Sequence, residues 1–179
     1  MKHEDIKLIL NDDGYVGKEI TVCGWIRAIR KNKSILFLEI NDGTSLKNLQ
    51  LVVDYALTTA ENLFGKLSVG SSIAVNGVVV NSINQNQKIE LNVKKIKLFG
   101  KCPNDYPIQR KKQNMEYLRN YPHLRTRTNT FNAAFRIRSM LIKYIHDYFQ
   151  EHNFIYVNTP IITGSNCEGA GEMFRVTTH

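Results

Sequence analysis

Five side chains of complementary chemistry fall into step along the first hundred residues: Arg27, Arg30, Phe37, Gln50 and Glu90. Side chains on a strand alternate between its two faces. In SILFLEINDG the alternation sends Leu36, Leu38 and Ile40 one way and Ile35, Phe37 and Glu39 the other. The same period turns Leu49, Leu51 and Val53 inward with Gln50 outward, and Ile89, Leu91 and Val93 inward with Glu90 outward. Earlier in the chain Val22 and Ile26 face in, Trp25 and Arg27 lie opposite, and Arg30 follows after a loss of phase, with Lys31 and Lys33 at the edge.

An exposed aromatic ring beside an amide, a carboxylate and cations can hold an unpaired nucleobase. Stacking contributes roughly 1–3 kcal/mol per base. A glutamine offers a donor and an acceptor to a uracil, and a glutamate accepts from the amino and imino groups of a guanine. Arginine and lysine nearby neutralise phosphates. A plainer reading fits the same residues: a Phe covered by a helix, loop or partner, and polar side chains that are merely solvated.

The composition agrees with a nucleic-acid partner without requiring one. With 24 Lys and Arg against 16 Asp and Glu, the formal charge is +8, a balance that favours polyanions. A hydrophobic share of 42% with 22% charged residues is that of a soluble globular chain and excludes disorder as the default. Cys23, Cys102 and Cys167 are odd in number, far apart and in no metal-ligand spacing, which suits a reducing compartment. The amino terminus MKHEDIKLIL has no apolar run long enough for a signal peptide or membrane span, so the expected location is the cytoplasm.

The elements that must position these side chains are short and β-branched. KEITVCGWIRAIR, SILFLEIND, LKNLQLVVD, SSIAVNGVVVNS and QKIELNVKKIKLF read as five strands, with a short helix over TTAENLFGKL between the third and fourth. That is the layout of an all-β OB-fold barrel, which binds oligonucleotides on the surface of its second and third strands. Other small barrels also accommodate five such runs. The expected domain therefore covers 1–100.

Residues 101–128 carry three of the four prolines and a basic cluster, as expected of a hinge or linker. Beyond it, 129–179 opens with apolar residues at 131, 134, 135, 141, 142, 145, 148 and 149, one face of a helix that Asn129 or Thr130 can cap. IYVNTPIIT follows as a strand-like run broken by Pro160, then the loop GSNCEGAGEMF, in which Gly164, Gly169 and Gly171 permit movement around Glu168.

VCGWIRAIRKNKSILFLEINDGTSLKNLQLVV resembles the anticodon-binding OB domain of the class IIb aminoacyl-tRNA synthetases, the aspartyl, asparaginyl and lysyl enzymes. MEYLRNYPHLRTRTNTF is most similar to the asparaginyl branch, because the other two usually carry an RYLDL-type string there. FIYVNTPIITGSNCEGAGEMFRVTT resembles the first class II signature motif, followed by the asparaginyl form of the amino-acid loop. The 129–179 segment would then be the truncated start of an α+β catalytic domain.

The resemblance implies roles residue by residue. Phe37 matches the ring that stacks on the middle anticodon base, Gln50 the glutamine that reads the same uracil, Glu90 the acidic residue of the last barrel strand, and Arg30 the arginine ending strand one. Arg27 joins them from alternation alone. Pro160 matches the proline of a motif that builds the interface of an obligate homodimer, and Glu168 the loop glutamate that meets the α-ammonium of asparagine. Implied for the whole enzyme are tRNA, ATP and magnesium. The second and third class II motifs do not occur before His179, so no catalytic or metal-binding residue is named, and the chain alone is expected to be inactive. Two alternatives stay open: an aspartyl relative, and a non-catalytic OB module that grips single-stranded nucleic acid.

Overall fold

A computed structural model describes residues 2–56, 65–83, 87–108, 113–164 and 174–177. Five strands, β1 (Glu19–Lys31), β2 (Ile35–Asn41), β3 (Leu49–Asp54), β4 (Ser72–Asn81) and β5 (Ile89–Gly100), close into a barrel in the order β1-β2-β3-β5-β4. β3 and β5 run parallel and the other neighbours antiparallel. This is the expected OB-fold. The helix expected over 58–67 falls mainly on residues outside the described ones.

The inward residues of the alternation form the core. Val22, Ile26, Leu38, Ile40, Leu49, Leu51, Val53 and Leu91 have no solvent exposure. Burying each such side chain contributes about 1.5–3 kcal/mol. A Cβ at Gly77 would lie 2.2 Å from the Asn92 carbonyl oxygen, so glycine alone lets β4 and β5 approach at that register shift.

A short helix, α1 (Ile6–Asn11), precedes the barrel where the sequence showed only a charged terminus. Ile6 and Ile9, one turn apart, join the barrel core. Its first free amides are satisfied from a distance: Ile6 N–H donates to Asp42 Oδ2 at 2.7 Å and Lys7 N–H to Thr44 Oγ1 at 3.0 Å.

The segment after the barrel is more than a linker. It buries Ile108 and Leu118, and its helix α2 (Met115–Arg119) is capped by Asn114, whose Oδ1 accepts from Tyr117 N–H at 2.7 Å. The chain divides into two compact units, Met1–Arg136 and Ile137–His179. The long helix α3 (Asn129–Glu151) begins in the first and ends in the second. Asn129 is already helical. Thr128 holds the extended geometry before it, and its hydroxyl donates to the Arg125 carbonyl at 2.7 Å.

In the second unit no described residue is buried. Leu141, Ile145, Tyr148 and Phe149 stand exposed on α3, as do Phe154, Ile155 and Ile161 after it. The chain leaves the helix through Asn153 at φ 62, and Phe154 then packs edge-on to Phe149, ring centres 5.3 Å apart. The strand-like run 155–162 has no ladder partner among the described residues, because a strand exists only through the neighbour that takes its amides. No described helix is long and apolar enough to cross a membrane.

Candidate nucleic-acid interface

The loss of phase in β1 is a β-bulge. Ile26 pairs with Ile40, but Glu39 pairs with Ala28, so Arg27 is the extra residue. Beyond it the phase reverses: Ile29 turns to the core opposite Leu38, and Arg30 comes to lie opposite Phe37 on the outer face. On the other side Phe37 pairs with Val52 and Glu39 with Gln50, while the parallel pair Val52–Asn92 sets Glu90 next to Gln50.

Three of the expected residues are directly linked. Arg30 Nη2 donates to Gln50 Oε1 at 3.0 Å, and Gln50 Nε2 donates to Glu90 Oε2 at 3.1 Å. The amide is thereby fixed, oxygen toward the cation and nitrogen toward the carboxylate, with one hydrogen and one lone-pair direction still to use. Ser82 Oγ and Gln87 Nε2 donate to the same Glu90 oxygen at 3.2 and 3.4 Å. Among the described residues Oε1 of Glu90 has no hydrogen-bond partner. Phe37, half-buried, lies on this face diagonally from Gln50.

Gln50 departs from expectation in one respect. It is on the outer face, yet only 6% exposed, because Arg30 reaches it across β2 from β1 and Glu90 meets it from the neighbouring β5.

Arg27 does not join the group. At the bulge it turns toward the following segment, where its Nη2 donates to the Arg127 carbonyl oxygen. Burial is the main cause that lowers its pKa; the charge of Arg127 acts the same way and Tyr106 opposes both. Alternation misplaced it because a bulge breaks the two-residue period.

Two residues of the outer face, Glu39 and Asn48, were not among the expected site residues but take part in it. Glu39 lies 3.5 Å from Arg30 through Oε1 and accepts from Asn48 Nδ2 at 3.1 Å through Oε2, steadying the guanidinium from the far side. Their signal was available, since Glu39 shares the outward phase of Phe37. Pro160 is exposed within the run after α3, and Glu168 lies outside the described residues. Among the described residues no group of three or more His, Cys, Asp or Glu could hold a metal ion.

Residues 20–99 match the family model of an OB-fold nucleic acid binding domain, and residues 114–179 that of the class II tRNA synthetases for D, K and N. The two in this order join a nucleic-acid-binding barrel to a segment similar to the class II tRNA synthetases of the aspartyl, lysyl and asparaginyl group. The asparagine–tRNA ligase of Acetivibrio thermocellus is 50% identical over 171 residues, covering 96% of this chain and 37% of the relative. That of Clostridium kluyveri is 46% identical over 179 residues, covering 99% and 38%. Over nearly its whole length the chain is similar to the asparaginyl branch of that group.

It spans about 38% of the length of the curated relatives it matches. Among solved structures, asparaginyl-tRNA synthetase from Pyrococcus horikoshii is similar with a TM-score of 0.78 at 23% identity, covering 90% of this chain and 38% of that one. Aspartyl-tRNA synthetase from Entamoeba histolytica gives 0.75 at 18%, covering 89% and 39%. At these identities the likeness is one of fold.

Proposed function

We propose that this chain is the tRNA-reading portion, with the opening of the catalytic domain, of an ATP-dependent asparagine–tRNA ligase that works in the cytoplasm as a homodimer. The observation that carries the reading is the Arg30–Gln50–Glu90 chain lying beside Phe37 on the outer barrel face. Phe37 stacks the middle anticodon base, the oriented Gln50 amide meets the uracil edge, and Glu90 accepts from the neighbouring guanine. Because the protein already holds these groups in one arrangement, little ordering entropy remains to be lost on binding.

In the complete enzyme the asparagine carboxylate attacks the α-phosphate of ATP, pyrophosphate leaves, and the aminoacyl group passes to the terminal ribose of tRNA. Magnesium, when bound, offsets phosphate charge; no residue of this chain is assigned to it. Glu168 pairs with the α-ammonium of asparagine. Pro160 and the exposed apolar residues of α3 belong to the subunit interface, which explains a helix that buries nothing of its own.

The test is binding of the chain to an RNA hairpin with a GUU loop and to one with the loop scrambled, at matched salt. Tighter binding of GUU is expected. Equal affinity makes the barrel a non-specific module and ends the anticodon reading.

A further inference from the structure

The bulge that removes Arg27 from the reading face delivers it to a cleft of about 470 Å³ between β1 and the segment 106–130. Trp25, Arg27, Tyr106 and Arg127 are on its lining, and Trp25 is 40% exposed. The Arg127 guanidinium lies 5.0 Å from the centre of the Trp25 ring. Among the described residues neither arginine has a carboxylate partner, and the acid on the lining, Glu39, is taken by Arg30 and Asn48. Two guanidinium groups thus line one half-enclosed space, and among the described residues neither is paired with a carboxylate. Bringing cations out of water without a counter-charge is unfavourable, and an anion between them relieves it.

We propose that this cleft receives a phosphate of the tRNA backbone, outside the anticodon, with Arg27 and Arg127 as its cationic walls. Phosphate suits planar guanidinium donors. A free phosphate offers the same chemistry, but RNA is favoured by position. Arg27 and Arg30 are three residues apart on one strand, roughly 10 Å, so an RNA seated on the reading face passes the cleft. The choice of tRNA rests on the proposed function above; the phosphate site itself does not.

Trp25 is the only tryptophan in the sequence, and its emission reports this cleft directly. The chain is titrated with a full-length tRNA transcript bearing a GUU anticodon, with the same transcript scrambled at the anticodon, and with inorganic phosphate. The transcripts should change Trp25 emission. Arg127→Ala should abolish that change and flatten the plot of log K against log salt by about one, equally for both transcripts and without altering the preference between them. Arg127→Lys should restore the slope, and Arg127→Gln replaces the alanine variant should the latter melt early.

An unchanged slope in Arg127→Ala overturns the proposal. So does an emission change that inorganic phosphate reproduces while the RNA slope stays the same, which marks a free-anion site. Absence of any GUU preference in the unsubstituted chain overturns the anticodon reading alone, and the phosphate site then stands or falls on its slope.

Discussion

The barrel and the unit that follows it use similar apolar residues to opposite ends. In the barrel Leu38, Leu51 and Leu91 meet inside a closed sheet, so all polar chemistry is displaced to the outer face. Among the described residues of 137–179 none is buried, and Leu141, Ile145 and Ile161 stand exposed. A region that completes its own core can spend its surface on recognition, whereas one that cannot must present its apolar face to something else.

Core truncation tests this contrast most severely. Leu51→Ala should cost about 2–5 kcal/mol in urea unfolding, while Leu141→Ala, at a residue 54% exposed, should stay within about 0.5 kcal/mol. Comparable losses would erase the distinction between the regions. Phe37→Ala should weaken GUU-hairpin binding by about 1–3 kcal/mol and leave the melting temperature nearly unchanged. A melted domain with intact affinity would turn Phe37 into a core residue.

Lys33→Ala, at the exposed β1–β2 turn, should act only through charge, lowering the salt slope of binding by about one without touching loop preference. The smallest effect belongs to Glu19, whose pKa is lowered by the hydrogen bond and charge of Lys94, 2.6 Å away. A lowered carboxyl pKa stabilises the fold above the ordinary carboxylate range and loses that contribution as pH falls through the folded value. Glu19→Gln should therefore lower stability slightly at neutral pH, change nothing below the folded pKa, and so flatten the acid limb of a stability profile.

Alternation was enough to find the barrel face, because strands with a buried side impose a strict period of two. Phe37, Gln50 and Glu90 were legible for that reason. Arg27 was not, since one extra residue reverses the phase and its position is set by strand pairing. The depth of Gln50 was hidden too: burial on an outer face depends on which neighbours reach across, here Arg30 and Glu90. The prolines and charges of 101–128 suggested a bare connector, but Ile108 and Leu118 are single apolar residues that find a surface to cover, and no periodicity announces them. The helix formed by α1 escaped notice because six residues are too few for a periodic signal, although Ile6 and Ile9 carry it.

The parallel ladder between β3 and β5 has a consequence for when the proposed site can form. It joins only two residue pairs, Leu51–Leu91 and Val52–Asn92, and it is the seam at which the sheet closes on itself. Gln50 and Glu90 sit on opposite lips of that seam, 40 positions apart in sequence, and their hydrogen bond is its clasp. A nascent chain that has not yet produced β5 therefore holds Phe37 and Gln50 without Glu90, and the proposed reading face is incomplete. The proposed site is completed by the last strand, at the same moment as closure.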